Sequence, residues 1–312
     1  MRDTKYTFCL PAYKVKFLAE ALNSIRGQTF TDFTCIVSDD CSPENIKEVF
    51  DKTVGDDSRF VYRRNEKNMG SKSLVSHWNL LVDMCDTEYL IMASDDDVYD
   101  IGFLHGVESM SEKYPEANLI RSRVRMINEE GKTLFYDAIY EEYVDNQHFF
   151  RQTFASNSIS CEANYCYKTD VLRNNGGFVV FPTAWFSDDA THLLMAKHGC
   201  VNTKDLLFSY RMSDISISNT WGDADDSCKK VEASLLFWKW VHGYIMDMDC
   251  RTEPWLMKMA LTDCKRKLIR NIENNLQHCS CRDFVRLLNR SNMEIGISKV
   301  TSMYNWLRVH LH

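Results

Sequence analysis

The first hundred residues alternate short apolar runs with segments in which apolar residues recur at helical spacing. The apolar runs are typical of buried strands, and they lie at 6–10, 34–38, 59–63 and 88–93. Helical spacing occurs between them, at 14–26, 44–54 and 71–85. Strands that alternate with helices form a mainly parallel sheet, because each helix crosses over one face of the sheet. The sequence therefore predicts an α/β fold with a Rossmann-like, mainly parallel sheet and helices on both faces.

The pattern changes along the rest of the chain. Between 101 and about 220 it is mixed, with helices predicted at 102–114 and 189–198 and strands at 119–128, 133–136, 162–168 and 206–211. After 225 only helical periodicity remains, at 226–248, 253–278, 281–290 and 298–310. We therefore expect a boundary near 220, which divides an α/β domain at 1–220 from a helical C-terminal extension at 221–312.

Charge is distributed unevenly between these two regions. The net charge is -7, yet residues 251–312 carry 11 Lys and Arg against 5 Asp and Glu. The rest of the chain is therefore strongly acidic, which argues against nucleic acid as a partner. The basic helical extension is interpreted as a solvated face, with a contact to an anionic acceptor or to a membrane surface as the alternatives. A homodimer contact through the C-terminal helices is a further alternative.

Cysteine usage and hydropathy indicate the cellular compartment. The 12 cysteines are scattered, and no Cys-x-x-Cys pair occurs, so the spacing of zinc ribbons and thioredoxin-like motifs is missing. Reduced core thiols in a cytosolic protein are the favoured interpretation. We expect no signal peptide and no transmembrane helix, because the apolar runs are too short. The predicted location is cytoplasmic, with peripheral contact at the inner face of the membrane as an extension of that prediction.

Three consecutive carboxylates follow the predicted strand at 88–93. Asp95, Asp96 and Asp97 repel one another at this spacing, and a bound divalent cation would relieve that repulsion. Mg²⁺ and Mn²⁺ prefer carboxylate oxygens and often combine one or two of them with substrate phosphates. The alternative is a solvated acidic turn or a helix N-cap. Asp39 and Asp40 follow another predicted strand, so both clusters are expected at the same edge of the sheet.

Four strings of the N-terminal half, in their order and spacing, carry a resemblance to a known family. They are LPAYK, ALNSIRGQTFTDFTCIVSDDCS, NEKNMG and EYLIMASDDDVYD. Together they resemble the N-terminal half of family 2 glycosyltransferases of the GT-A fold. The resemblance is specific over residues 5–100 and continues to about 220.

The resemblance implies a role for each matching position in the first hundred residues. Pro11, Ala12 and Tyr13 would border the nucleotide base, and Asp40, with Asp39 beside it, would hydrogen-bond that base. The donor would also meet Asn68, Gly70 and Lys72, the last of these at a phosphate. Asp95 and Asp96 match the DXD-type motif, with Asp96 as the expected metal ligand. Ser94 stands where many members have Asp, so Asp95 and Asp97 remain alternative ligands.

Later elements carry further implied roles. Gly176 and Gly177, in NNGGF, resemble a loop near the acceptor, and a plain helix-terminating glycine pair is the alternative. In WFSDDATHLLMAKHG, Asp188 matches the catalytic base of inverting members, with Asp189 as its neighbour and a helix cap as the alternative. SYRMSDISIS resembles a Tyr-Arg strand and loop, in which Arg211 or Ser213 would approach the diphosphate.

The resemblance thus implies an inverting, metal-dependent transferase. It would move a sugar from a nucleotide-diphospho-sugar, with a UDP-sugar favoured, to a hydroxyl of a glycan or a lipid-linked acceptor. Surface polysaccharide synthesis is the expected process, and Mn²⁺ or Mg²⁺ the expected cofactor. The alternatives are a sugar nucleotidyltransferase and a non-catalytic nucleotide-sugar-binding or scaffold protein of the same fold.

Overall fold

A computed structural model describes residues 4–155, 157–214, 223–248 and 254–310. The strands in this part of the chain are β1 (Tyr6–Ala12), β2 (Phe33–Asp39), β3 (Phe60–Arg64), β4 (Tyr89–Met92), β5 (Val98–Tyr99), β6 (Leu119–Ile127), β7 (Thr133–Tyr136), β8 (Tyr143–Val144), β9 (Tyr165–Lys168) and β10 (Cys200–Arg211). The helices are α1 (Leu18–Arg26), α2 (Ile46–Val54), α3 (Gly70–Met84), α4 (Phe103–Lys113), α5 (Asn146–Phe154), α6 (Thr169–Asn174), α7 (Ser187–Met195), α8 (Ala224–Asp247), α9 (Pro254–Leu276), α10 (Cys281–Ile295) and α11 (Lys299–His310).

These strands form a mixed sheet in the order β3-β2-β1-β4-β9-β6-β10-β5, with β7 beside β6 and β8 beside β10. The first four strands run parallel to one another, and β10 runs parallel to β6. β9 is antiparallel to both of its neighbours, β4 and β6. The predicted α/β class with a mainly parallel sheet is therefore confirmed. The strands predicted at 119–128 and 133–136 are β6 and β7, which pair as an antiparallel hairpin.

Apolar side chains cover both faces of the sheet. On one face Leu22, Phe50 and Leu104 bring α1, α2 and α4 onto the strands. On the other face α3, α5 and α7 pack on the sheet, and the same apolar cluster continues into α8 and α9 through Phe237 and Leu268. The C-terminal helices are thus part of the core on the face that carries α7.

Several element boundaries differ from those expected from the sequence, among them the start of α1 at Leu18 rather than at 14 and the end of α10 at Ile295 rather than at 290. The strand predicted from 162 begins at Tyr165, because Glu162–Asn164 forms a 3-10 turn in which the Asn164 side chain accepts the Cys161 N–H at 2.9 Å. The strand predicted at 206–211 begins already at Cys200. The helix predicted at 189–198 begins two residues earlier, at Ser187. The domain boundary expected near 220 lies outside the described residues.

Two further observations concern the chain as a whole. Among the described residues, none of the helices combines the length and apolar character needed to span a bilayer. The 11 cysteines in the described part are free thiols, most of them buried.

Candidate active site

The carboxyl ends of β1, β2 and β4 meet at one edge of the sheet. Ala12 at the end of β1 is in register with Asp39 at the end of β2, and Cys9 of β1 is in register with Met92, the last residue of β4. The loops that follow these strands therefore start side by side, as expected for a parallel sheet. They carry Tyr13, which is 39% exposed, and the two acidic clusters predicted from the sequence.

Asp95 joins the loop after β4 to the loop after β1. Its Oδ2 accepts the backbone N–H groups of Tyr13 at 2.8 Å and Lys14 at 2.9 Å. Burial, and then the charge of Asp96, raise the pKa of Asp95 to about 6. Asp95 thereby holds in place the Pro11–Tyr13 loop that was predicted to border the base.

Asp97 is buried and joins the acidic loop to β10. Its Oδ1 accepts the Arg211 backbone N–H at 2.8 Å, and its Oδ2 accepts the Ser94 hydroxyl at 2.7 Å. Burial, and then the neighbouring charge of Asp96, raise the pKa of Asp97 well above its usual range. Both oxygens of Asp97 therefore have protein donors, which explains why the loop turns back toward β10.

The Arg211 guanidinium is buried against the same loop. Its Nε donates to the Asp96 carbonyl oxygen at 2.8 Å and one Nη to the Glu129 carbonyl oxygen at 2.9 Å, while the other Nη lies 2.6 Å from a Glu20 carboxylate oxygen. The charge also lies over the Phe17 ring, 4.4 Å from its centroid. These contacts give Arg211 a positioning role for the acidic loop, and its predicted diphosphate contact remains untested.

Asp96 differs from its two neighbours. Its carbonyl oxygen is held by Arg211, but no backbone N–H of another loop in the described part of the chain donates to its carboxylate. Burial raises the pKa of Asp96, and Ser94, Lys14 and Arg211 oppose that rise. Within the described residues no group of three or more His, Cys, Asp or Glu side chains could hold a metal ion. A cation at Asp96 would thus need ligands from substrate phosphates.

The Asp39 and Asp40 carboxylates are buried at the end of β2. Asp39 accepts the Ser42 backbone N–H at 2.8 Å and the Tyr62 hydroxyl at 2.7 Å, and it forms an ion pair with Arg64. Tyr62 and Arg64 were not predicted from the sequence, since each lies on β3, more than 20 residues away. In the fold Asp39 therefore stabilises the turn after β2, and its contact with a base remains a prediction.

Asp40 is held by the loop before α3. Its Oδ1 accepts the Asn65 side-chain amide at 2.8 Å and the Met69 N–H at 2.9 Å, and its Oδ2 accepts the Gly70 N–H at 2.7 Å. Burial opposes ionisation, but the backbone donors Met69 and Gly70 prevail and lower the pKa of Asp40. A Cβ at Gly70 would lie 3.0 Å from Asp40 Oδ2, so a side chain there would disturb this contact.

The Asn68-x-Gly70 element forms the start of α3. Asn68 Oδ1 accepts the Ser71 N–H at 2.7 Å, and Ser73 leaves helical geometry (φ -161°, ψ 108°), so the first turn is set apart from the rest of α3. Lys72 lies in this first turn and is exposed. The structure therefore brings Asn68, Gly70 and Lys72 to the same edge of the sheet as Asp40.

Asp188 and Asp189 lie in the first turn of α7. Asp189 is almost fully buried and lies 3.6 Å from the Lys267 ammonium of α9. Asp188 is half-buried, and burial, followed by the charges of Asp189 and Glu162, raises its pKa well above the usual range while Lys267 opposes that rise. A carboxylate with a raised pKa is a stronger proton acceptor.

Glu162 is a candidate site residue that sequence reasoning missed. Burial, and to a smaller extent the charge of Asp96, raise its pKa to about 7. Its own charge acts in turn on Asp97 and Asp188. Glu162 is therefore a charged group that acts on both the acidic loop and the first turn of α7. The sequence feature that could have indicated Glu162 is its position as a lone acidic residue in the largely apolar string CEANYCYK.

The glycine pair ends α6. Gly176 and Gly177 have φ of +87° and +79°, and the Gly177 N–H donates to the Leu172 carbonyl oxygen at 2.9 Å, as in a helix C-cap. Asn79 Oδ1 accepts the Phe178 N–H at 2.7 Å, and a Cβ at Gly177 would lie 2.4 Å from that oxygen. The helix-terminating alternative describes the backbone here, and the acceptor role remains a prediction.

The sequence of residues 7–191 matches the family described as Glycosyl transferase family 2. This match covers more than half of the chain, and the chain belongs to that family. An uncharacterized glycosyltransferase of Rickettsia bellii (strain RML369-C) is 29% identical over 138 residues, which are 43% of this chain and 19% of the relative. The chain thus spans about a fifth of the length of this relative.

Solved structures share the fold across nearly the whole chain. Crystal structures of S. aureus TarS 1-349 in complex with UDP-GlcNAc and of the mannosyltransferase PcManGT from Pyrobaculum calidifontis in complex with GDP-Man and Mn²⁺ are 13% and 12% identical, with TM-scores of 0.59 and 0.56. The alignments cover 99% and 98% of this chain and 91% and 86% of those chains. This likeness confirms the GT-A type fold, including the helical C-terminal region.

Proposed function

We propose that this chain is an inverting glycosyltransferase that moves a sugar from a nucleotide-diphospho-sugar to a hydroxyl of a glycan or lipid-linked acceptor. The observation that carries the proposal is the position of Asp96. Asp96 follows β4 and lies between Asp95 and Asp97, whose carboxylates accept hydrogen bonds from neighbouring segments. Electrostatic effects involving Glu162 extend to both Asp96 and Asp188. Membership in glycosyl transferase family 2 favours a transferase over a nucleotidyltransferase.

Mn²⁺ or Mg²⁺ fits the chemistry of this acidic loop. Asp96 supplies hard carboxylate oxygens, and Asp95 and Asp97 lie beside it in the same loop. The pKa of each of these three carboxylates is raised, and a nearby cation would lower it. A bound cation would neutralise part of the negative charge that builds on the leaving diphosphate. PcManGT was solved with GDP-Man and Mn²⁺, which supports this assignment.

The donor would be held by the loops at the sheet edge. Pro11, Ala12 and Tyr13 would line the base, with Asp39 and Asp40 behind them. Asn68, Gly70 and Lys72 would face the donor from the start of α3, and Gly176 and Gly177 the acceptor. A UDP-sugar is the favoured donor, which is supported by the fold shared with TarS in complex with UDP-GlcNAc. The transferase domain would span 1–220, followed by a helical extension at 221–312.

Asp188 would act as the base. The acceptor oxygen attacks the anomeric carbon and forms the new glycosidic bond as its proton passes to the Asp188 carboxylate. The bond between that carbon and the diphosphate oxygen breaks, and its electron pair leaves with the nucleoside diphosphate. One displacement inverts the configuration, so an α-linked donor yields a β-linked product.

A donor-hydrolysis panel tests the proposed reaction. Purified full-length chain is incubated with UDP-, GDP- and dTDP-sugars, with Mn²⁺, Mg²⁺ or EDTA. We expect slow release of nucleoside diphosphate from UDP-sugars, stimulated by either cation and lost with EDTA. Release of nucleoside monophosphate would point to cleavage within the diphosphate and contradict the transferase. Absence of release, together with absence of metal-dependent thermal stabilisation by any nucleoside diphosphate, would favour the scaffold alternative.

A peripheral membrane contact is proposed through α11. The inner side of this helix packs through Trp306, whose ring lies 5.1 Å from that of Phe284. Its outer side exposes an apolar stripe at helical spacing, which consists of Val300, Met303, Tyr304 and Leu307. Lys299 and Arg308 flank the stripe, and residues 295–310 contain no acidic residue. An apolar stripe with basic flanks complements an anionic lipid surface, such as the inner face of a membrane where lipid-linked acceptors for surface polysaccharide are found.

Vesicle sedimentation tests this contact. The wild-type chain should sediment with phosphatidylglycerol-containing vesicles and much less with pure phosphatidylcholine, because the basic flanks need anionic headgroups. M303E/L307E should weaken binding about tenfold or more, whereas Ile139→Glu, which also changes an exposed apolar side chain, should not. If the double variant binds vesicles normally but converts a dimer into a monomer, the stripe is a homodimer contact and the lipid proposal is wrong.

A further inference from the structure

The segment immediately before Asp188 has an unusual backbone. Thr183, Ala184 and Phe186 have φ of 54°, 58° and 64°, in the left-handed region that non-glycine residues rarely adopt. These three residues lie within four positions and lead directly into the first turn of α7. Such a backbone persists only where the surrounding structure holds it. The contacts that hold segment 183–186 therefore determine where the Asp188 carboxylate lies.

Most of these contacts come from the C-terminal helices. The Trp185 indole N–H donates to Asn271 Oδ1 of α9 at 2.9 Å. The Phe186 ring stacks on Phe237 of α8, with ring centroids 4.8 Å apart. Asn271 Oδ1 also lies 3.2 Å from the Ser234 hydroxyl oxygen of α8, whose proton is donated to the Lys230 carbonyl oxygen at 2.7 Å. Segment 183–186 is thus fastened to α8 and α9 by a hydrogen bond and by ring stacking.

Lys267 reaches the same place from one helical turn earlier on α9. Its ammonium lies 3.6 Å from Asp189 Oδ1 and within 6 Å of the centroids of the Phe154 and Phe186 rings, at 5.4 and 5.9 Å. Cations over aromatic faces are attracted to the ring, so these rings help to fix the ammonium. Lys267 therefore contacts both the strained segment, through Phe186, and the first turn of α7, through Asp189.

The charge of Lys267 also acts on Asp188. The charges of Asp189 on its own helix, Glu162 on the 3-10 turn and Lys267 on α9 act on the pKa of the Asp188 carboxylate, whose charge acts in turn on Tyr167 of β9. Burial and the two neighbouring carboxylates raise the pKa of Asp188, and Lys267 is the cation that lowers it. Removing this positive charge should therefore raise that pKa further.

We propose that Lys267 and Asn271 are positioning residues for the base, through which α9 holds the segment 183–189 and thereby completes the active site. This inference rests on the proposed function, because it takes Asp188 as the base. Both residues lie outside residues 7–191, over which the chain matches its family. The C-terminal helical region is thereby assigned a part in the reaction in addition to its packing.

Kinetics of the full-length chain with Lys267→Met test the proposal. Methionine keeps an apolar stem over the two rings and removes the charge. We expect kcat to fall about tenfold with the donor KM unchanged, and the acidic limb of the kcat–pH profile to move up by about one pH unit. Lys267→Arg should restore much of kcat and the pH profile. Asn271→Ala should lower kcat without moving the acidic limb, since it removes no charge.

Two controls separate this proposal from its alternatives. Lys265→Met, an exposed change on another face of α9, should leave kcat and the pH profile at their wild-type values. Thermal unfolding is measured for every variant, and Lys267→Gln replaces Lys267→Met if the latter does not fold. Wild-type kcat and pH profile in Lys267→Met, while Asp188→Asn is inactive, would overturn this inference alone. Full activity of Asp188→Asn would instead overturn the base assignment of the proposed function.

Discussion

Asp188→Asn should lower kcat for sugar transfer by about 10²–10⁴-fold and leave donor affinity unchanged. The amide has nearly the shape of the carboxylate but cannot take the acceptor proton. The side chain is half-buried in the first turn of α7, so the change also removes a charge from a crowded acidic region and should not destabilise the fold. Initial rates with saturating donor and acceptor, together with titration of nucleoside diphosphate in the presence of Mn²⁺, measure both quantities.

Two matched substitutions control for this result. Asp170→Asn changes an exposed carboxylate on α6 and should retain wild-type rates. Asp189→Asn should lower kcat less than Asp188→Asn, because Asp189 acts through its contact with Lys267 and not on the acceptor. A larger loss with Asp189→Asn would transfer the role of base to Asp189, the neighbour in the sequence motif.

The pH dependence of the wild-type enzyme checks the same assignment. Burial raises the pKa of Asp188, and the base must be deprotonated to act. The kcat of transfer should therefore fall as the pH is lowered through a value above about 4, the ordinary carboxyl range. An acidic limb that persists unchanged in Asp188→Asn, measured on its residual activity, would belong to another group.

Asp96→Asn should abolish metal-dependent donor binding and lower transfer by about 10³-fold or more. Asp95 and Asp97 each accept two hydrogen bonds from neighbouring groups, so they are less free to turn toward a cation. In a thermal-shift titration, wild-type protein should be stabilised by UDP only when Mn²⁺ is present. Asp96→Asn should lose that stabilisation while keeping the same unfolding temperature without ligands.

Asp86→Asn is the matched control for this second result. It removes an exposed carboxylate just before β4 and should keep the Mn²⁺-dependent stabilisation. Retention of that stabilisation by Asp96→Asn, with its loss in Asp95→Asn, would make Asp95 the metal ligand. Asp97→Asn is expected instead to lower the unfolding temperature, because Asp97 is buried between Ser94 and Arg211.

Strand-and-helix alternation was enough to predict much of the fold. Apolar runs at 6–10 and 34–38 became β1 and β2, and their register brings Ala12 beside Asp39. The helix α5 was not predicted, although Phe150 and Phe154 recur at helical spacing in its sequence NQHFFRQTF and Asp145 acts as its N-cap. The antiparallel insertion of β9 between β4 and β6 was also not predicted, since strand order depends on contacts between distant segments.

The residues of the candidate site also divide into those that the sequence predicted and those that became candidates only in the folded structure. Asp96 and Asp188 stand at strand and helix ends that local pattern and the family resemblance both indicate. Glu162 has no such pattern around it, and it became a candidate only because its charge acts on Asp97 and Asp188 in the folded chain. Lys267 was equally hidden, because it lies 78 residues after Asp189 along the chain, in a helix with an ordinary basic face.

What the sequence by itself determined was the parallel α/β sheet, the acidic triplet at the end of β4 and the carboxylate pair that opens α7. These features depend on the order and spacing of residues within short segments of the chain. Only the tertiary structure decided which contacts each carboxylate makes: Asp95 and Asp97 hold loops, the Asp96 carboxylate makes no such contact within the described residues, and Lys267 of α9 reaches the turn that carries Asp188. The physical reason is that a carboxylate's role depends on which donors and charges surround it, and folding brings those from distant parts of the chain.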